Sequence, residues 1–222
     1  ANIWAMRSIG VRWIIAPSAV GSLREQIRPL DIVIPDQFID RTHNRPATFF
    51  NEDIVAHVIM ADPFCSNLSG ILSDISDKNI PSGRQLHRGG TYLAMEGPAF
   101  STRAESNLYR QWGCSIIGMT NHTEARLARE AEIAYASLSM VTDYDCWNQK
   151  QEEVSVEMVI ENLKVNTEVA NKIVYETAKV IDTRRPISKA HQSLKDGLMT
   201  SKERASKDAQ SKVRIFTDNY WN

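Results

Sequence analysis

Five short apolar runs punctuate the first 142 residues, each stopped by Gly, Pro or a polar residue. Trp13-Ile14-Ile15-Ala16 gives way to Pro17-Ser18-Ala19-Val20-Gly21-Ser22, a small-residue stretch that reads as a turn. Asp31-Ile32-Val33-Ile34 stops at Pro35, and Thr91-Tyr92-Leu93-Ala94-Met95 runs into Glu96-Gly97-Pro98. Ser115-Ile116-Ile117-Gly118-Met119 ends at Thr120, and residues 134–141 end at Thr142-Asp143. Runs this brief and this apolar predict buried strands.

Helical patterns fall between them. Thr102 with Glu105 has the form of a capping box and predicts a helix through Leu108 and Trp112. Asn121 with Glu124 predicts another, through Ala128, Glu130 and Ala131. From Ser155 onward, Val156, Val159, Ile160, Leu163, Val169, Ile173 and Val174 keep the spacing of one apolar helix face. Strands alternating with helices predict an α/β fold with a central sheet flanked by helices. In such sheets ligands gather where strands run out into loops. Residues 183–222 are more polar, with nine basic and three acidic side chains from Arg184 to Arg214. They read as a solvated terminal helix and turn, with a phosphate- or partner-binding tail as the sharper alternative. Ala1-Asn2-Ile3-Trp4-Ala5-Met6 reads as the middle of an amphipathic helix without an N-cap, so the chain is expected to open inside a longer pattern. All 222 residues are expected to form one domain.

Composition narrows the function. With 42% hydrophobic and 24% charged residues the chain is globular rather than disordered. Its 26 basic and 27 acidic side chains nearly cancel, which removes the electrostatic case for nucleic acid or a membrane surface. No apolar run approaches the roughly 18 residues of a membrane span. Cys65, Cys114 and Cys146 are odd in number and widely spaced, so a disulfide framework is not expected and a reducing, cytoplasmic setting fits best. His43, His57, His87, His122 and His191 have no metal-ligand spacing, and no metal or cofactor is expected. Gly-x-Gly-x-x-Gly, P-loop and Gly-x-Ser-x-Gly motifs are absent, which counts against dinucleotide oxidoreductases, P-loop kinases and serine hydrolases.

Four polar clusters sit at predicted strand ends: Ser18-Ala19, the stretch from Glu96 to Ser101, Met119-Thr120-Asn121, and Thr142-Asp143-Tyr144-Asp145. Thr120 lies between a strand end and a helix start, where a hydroxyl and free N–H groups suit an anion, or simply cap the helix. Asp143 and Asp145, two residues apart, point the same way if the chain stays extended. Such a pair can grip an amine-bearing ring, work as acid and base, ligate a metal, or sit in a solvated turn. Phe100 is either a stacking platform or core.

Longer motifs carry a resemblance. Ser-Ala-Val-Gly-Ser-Leu-Arg-Glu (18–25), Asp-Gln-Phe-Ile-Asp-Arg-Thr (36–42), Met-Glu-Gly-Pro-Ala-Phe-Ser-Thr-Arg-Ala-Glu-Ser (95–106) and Val-Thr-Asp-Tyr-Asp-Cys-Trp (141–147) occur in order. Together they resemble the S-methyl-5′-thioadenosine phosphorylases, the trimeric branch of the purine nucleoside phosphorylases. The resemblance runs from Ala1 to Val180 and more loosely to Trp221. It implies a central mixed sheet of nucleoside phosphorylase type, a homotrimer, and a pentosyltransferase serving purine and methionine salvage. The reaction implied is phosphorolysis of methylthioadenosine to adenine and 5-methylthioribose 1-phosphate, with phosphate as co-substrate. By that resemblance Ser18, Ala19 and Thr120 line the phosphate and ribose site, Met119 packs on the ribose and Phe100 on the adenine. Asp143 and Asp145 face the N7 and N6 edge of the base. Val156, Val159 and Ile160 meet the methylthio group, and His57 reaches a neighbouring subunit's site.

The residue types fit that chemistry. A purine departs more readily if N7 receives a proton, which Asp143 supplies only when protonated, as burial beside Asp145 favours. The other carboxylate accepts from the exocyclic amine. Relatives that take inosine and guanosine carry Asn where Asp143 stands and Glu where Ser101 stands, so Asp143 with Ser101 favours 6-aminopurines. An apolar 5′ pocket disfavours a 5′-hydroxyl, whose unpartnered burial costs about 1–3 kcal/mol. Family members also carry an earlier glycine-rich phosphate turn and an Arg-His-Gly segment that are not in these residues. The alternatives are therefore a truncated, ligand-binding subunit without catalysis, or a phosphorylase of other 6-amino or 6-oxo specificity. His122-Thr123 and Asn51 also depart from the pattern, and His122 is close enough in sequence to disturb Thr120.

Overall fold

Strand β7 (Ala134–Tyr144) is the spine of the molecule, and all eleven of its residues are buried. A central strand covered by helices on both faces needs that composition: alanines, serines and apolar residues with no obligatory solvent contact. The computed structural model describes residues 1–148 and 156–221. In chain order these hold α1 (Asn2–Ser8), β1 (Trp13–Ser22), β2 (Ile32–Ile34), β3 (Gln37–Arg41), α2 (Ser66–Asn79), β4 (Leu86–Arg88) and β5 (Thr91–Met95). Then come α3 (Arg103–Gln111), β6 (Ile116–Gly118), α4 (Asn121–Glu130), β7, α5 (Val156–Arg184) and α6 (Lys207–Thr217).

The seven strands form one sheet in the order β3-β5-β6-β1-β7-β2-β4. β1 runs parallel to β7 along its whole length and antiparallel to β6 at Gly21 and Ser22. β2 is antiparallel to β7, so the sheet is mixed, as expected. On one face α2 and α5 cover β7 through Leu68, Leu72, Ala170 and Ile173. On the other, α1, α4 and the C-terminal segment close over Tyr135 through Ile3, Ala128, Val213 and Phe216. Among the described residues no helix is long and apolar enough to cross a membrane.

Four local expectations need correcting. Residues 17–22 are not a turn: β1 continues through them, with a register shift between Val20 and Gly21. Pro17 is tolerated because β6 reaches only Gly21 and Ser22, leaving one edge of β1 without a strand where an N–H is missing. Similarly, β7 continues through Thr142 and Asp143 to Tyr144. The Thr102–Glu105 capping box forms in full at α3, but Asn121 does not cap α4. It is fully buried, with its amide on Ser137 and Tyr135, and the N-cap is Thr120, whose hydroxyl makes no capping bond. Finally, residues 183–222 are not simply solvated, since Leu194, Ala205, Ala209, Val213 and Phe216 are buried in the core. The apolar face predicted for α5 packs on the core from Leu163 onward, with Ile173 buried and Leu163, Val169 and Val174 partly so, while Val156 and Ile160 are exposed; its predicted start at Ser155 lies outside the described residues.

Candidate active site

The C-terminal ends of β5 and β6, at Met95 and Gly118, meet the second halves of β1 and β7 around a cavity of about 340 Å³. Its lining includes Ser18, Ala19, Phe100, Met119, Thr120, Asp143, Asp145 and Val159, which were separate clusters in the sequence. The sheet order brings them together: β1 lies between β6 and β7, so Ser18, Thr120 and Asp143 share one rim.

The acidic end is built around a glycine. A Cβ on Gly21 would stand 3.0 Å from Asp143 Oδ1 and 3.4 Å from Asp145 Cβ, so the missing side chain, at the point where β1 shifts register against β7, leaves room for both carboxylates. Both are buried, at 6% and 7% exposure. Desolvation, reinforced by the charge of Asp145, pushes the Asp143 carboxyl up to about 6 against the pull of its Thr142 hydrogen bond. Thr142 Oγ1 lies 2.6 Å from Asp143 Oδ2 and 3.2 Å from the Val20 carbonyl oxygen. One hydroxyl proton cannot serve both. When Asp143 carries its proton on Oδ2, that O–H donates to Thr142, which donates to Val20; when Asp143 is ionised, Thr142 turns to donate to it. Asp145 is held differently, by Ser101 Oγ at 3.1 and 2.9 Å from its two oxygens. Ser101 thus stands behind Asp145 rather than on the cavity wall. The two carboxylates have environments that divide an acid's work from an acceptor's.

The opposite end is a hydroxyl cluster. Ser18 Oγ lies 3.2 Å from Thr120 Oγ1 and 3.4 Å from the hydroxyl of Tyr92, and the Thr120 N–H donates to that hydroxyl at 3.4 Å. Tyr92 is fully buried and reaches the cluster over Gly118, where a Cβ would stand 2.0 Å from its hydroxyl. Sequence reasoning missed Tyr92; the available signal was a tyrosine within an otherwise apolar buried strand, whose O–H must find a partner. Gly118, Thr142 and Met95 also line the cavity without having been singled out as ligands.

Val156 and Ile160, exposed on the same helix as Val159, do not line the cavity, and neither does His57, whose backbone N–H donates to Gly197 O at 2.7 Å. His122 is turned to Asp40, 3.2 Å away, and set edge-on to Phe38, so its ring does not engage Thr120. A more open depression of about 550 Å³, lined by Arg24, Asn107, Arg110 and Gln111, contains none of the predicted residues. Among the described residues, no three His, Cys, Asp or Glu side chains group as metal ligands.

A mixed α/β sheet whose strand ends hold a shielded acid pair and a hydroxyl cluster around one cavity defines an enzyme of small polar molecules. The chain belongs to the phosphorylase superfamily, whose sequence profile matches residues 1–179. It is 66% identical over 221 residues to an S-methyl-5′-thioadenosine phosphorylase of Prochlorococcus marinus, covering 100% of this chain and 70% of that protein. It is 53% identical to the enzyme of that name from Thermosynechococcus vestitus, covering 99% and 76% of the two chains. The crystal structure of a methylthioadenosine phosphorylase from an antarctic soil metagenomic library superposes with a TM-score of 0.93 at 46% identity, over 97% of this chain and 75% of that one. A methylthioadenosine phosphorylase from Schistosoma mansoni in complex with adenine gives a TM-score of 0.79 at 30% identity, over 98% and 76%.

Proposed function

We propose that this protein is a pentosyltransferase that cleaves S-methyl-5′-thioadenosine with phosphate, giving adenine and 5-methylthioribose 1-phosphate. The observation that carries the reading is Asp143: a buried carboxyl raised to about 6, at one end of a cavity whose other end presents Ser18 and Thr120. A phosphate oxygen attacks C1′ as the bond from C1′ to N9 breaks, and the electron pair leaves on the purine. Protonated Asp143 gives its proton to N7 of the departing ring, which lowers the cost of placing that pair there. Asp145, steadied by Ser101, accepts from the N6 amine. The hydroxyls of Ser18 and Thr120 with the Ala19 backbone hold phosphate, and Phe100 and Met119 hold base and ribose. The nucleophile is the co-substrate itself, so catalysis rests on positioning and on proton supply rather than on a covalent enzyme intermediate.

The same reading supplies the methylthio group with the apolar Val159 and assigns His57 to the site of an adjacent subunit in a homotrimer. Phe100, Leu108 and Trp112, all more than 40% exposed in the isolated chain, give such an assembly apolar surface to bury. A cytoplasmic location accords with the free cysteines. The test is adenine release from methylthioadenosine by the purified protein. Release that requires phosphate supports phosphorolysis, and phosphate-independent release makes the enzyme a hydrolase instead.

A further inference from the structure

Arg45 lies in the loop after β3, outside the cavity, yet it binds the ends of two cavity strands at once. Its Nε donates to Glu96 Oε1 at 3.0 Å and its Nη2 to the carbonyl oxygens of Glu96 and Met95 at 2.7 and 3.3 Å. Its Nη1 donates to the Met119 carbonyl at 2.5 Å. The second oxygen of Glu96 takes the N–H of His43, which fixes the carboxylate that orients the guanidinium. A planar fork can satisfy this set of acceptors from one position; a Lys ammonium, a point donor on a flexible stem, cannot.

The Met119 carbonyl belongs to the same peptide unit as the Thr120 N–H. Charge-assisted donation to the oxygen draws electron density from the nitrogen side and strengthens that N–H as a donor. That N–H donates to the Tyr92 hydroxyl, which meets Ser18 Oγ, and Ser18 in turn meets the Thr120 hydroxyl, so the bond feeds into the hydroxyl cluster. The Arg45 side chain is only 21% exposed, so its charge is incompletely screened from an anion on the far side of the peptide. We propose that Arg45 is a positioning residue for the phosphate half of the reaction, fixing and polarising the Met119–Thr120 peptide while touching neither substrate. This rests on the phosphorolysis reading above. Among the described residues no hydrogen bond or ion pair joins Arg45 to Asp143, Asp145 or Phe100 at the base end.

The test is R45K and R45Q in the full chain, with initial rates against phosphate and equilibrium binding of adenine measured side by side. The expected result is a loss of about tenfold or more in kcat/KM for phosphate in R45K, larger in R45Q, the scale set by misplacing one positioning contact. Adenine affinity should stay within about twofold of wild type, because Arg45 is bonded to neither base-end carboxylate nor to Phe100. Unchanged phosphate kinetics in R45K would overturn the inference. So would an equal loss at both ends, or failure of both variants to fold, since each would make Arg45 a general stability residue. A wild-type protein that releases no adenine overturns the phosphorolysis reading instead, and is told apart by being seen before any variant is made.

Discussion

Replacing Asp143 with Asn should make the protein more stable and less active, and the gain in stability should depend on pH. The carboxyl moves from an ordinary 3.8 to about 6 on folding. Below pH 3.8 it is protonated in both folded and unfolded chains and costs nothing. Between the two values the unfolded chain ionises while the folded one keeps its proton, so stability falls as pH rises. Above 6 both forms are ionised and the full penalty stands, about 3 kcal/mol. At pH 5, between the two values, the same linkage leaves roughly half of that penalty. An amide of the same shape carries no charge, and its oxygen can still accept from Thr142. D143N should therefore unfold about 6–12 °C higher than wild type at pH 8, with roughly half that advantage at pH 5. Calorimetric or fluorescence melts of both proteins across that range read the difference directly. The same variant should lose about 10²–10³-fold in kcat/KM for methylthioadenosine, because an amide cannot deliver a proton to N7. A D143N protein no more stable than wild type at pH 8, or with an advantage that does not shrink toward pH 5, would refute the argument from burial.

Other perturbations address the remaining parts of the site. At saturating phosphate, wild-type kcat/KM for the nucleoside should decline above pH about 6 as Asp143 loses its proton, and a pH–rate profile with no descending limb there contradicts its role as acid. Ser101→Ala leaves the buried Asp145 carboxylate without its hydroxyl donor; adenine binding measured by calorimetry should weaken by about 1–3 kcal/mol. Gly118→Ala places a methyl where the Tyr92 hydroxyl lies, so KM for phosphate should rise about tenfold with a stability loss of about 1–3 kcal/mol. Tyr92→Phe, which only removes the hydroxyl, should cost stability about 1 kcal/mol; a variant melting with wild type would show those hydrogen bonds to be idle.

The parts of the fold legible in the sequence were those whose burial is continuous. β2, β5, β6 and β7 are apolar runs because both faces of the sheet are covered, and α3 was marked by a capping box whose two bonds both form. β3 and β4 went unread because they are the outer strands of the sheet: Gln37–Arg41 keeps polar exposed residues, and Leu86–Arg88 is three residues long. α2 also escaped, since its start is a thiol cap at Cys65 and its sequence is mostly serine and polar residues around Leu68 and Leu72. At the site, Asp143, Asp145 and Thr120 stood out because an apolar run giving way to polar residues is visible locally, even where, as at Asp143, the strand itself continues. Tyr92 and Arg45 did not, because their roles come from contacts made across 28 and 74 residues of chain. No local pattern carries that distance.

The central claim is phosphorolysis, and the most direct measurement is adenine release from methylthioadenosine in the presence and absence of phosphate, with the sugar product identified by mass spectrometry. The account predicts release that depends on phosphate and yields methylthioribose carrying a phosphoryl group at C1. Release that proceeds equally without phosphate and yields free methylthioribose would contradict it.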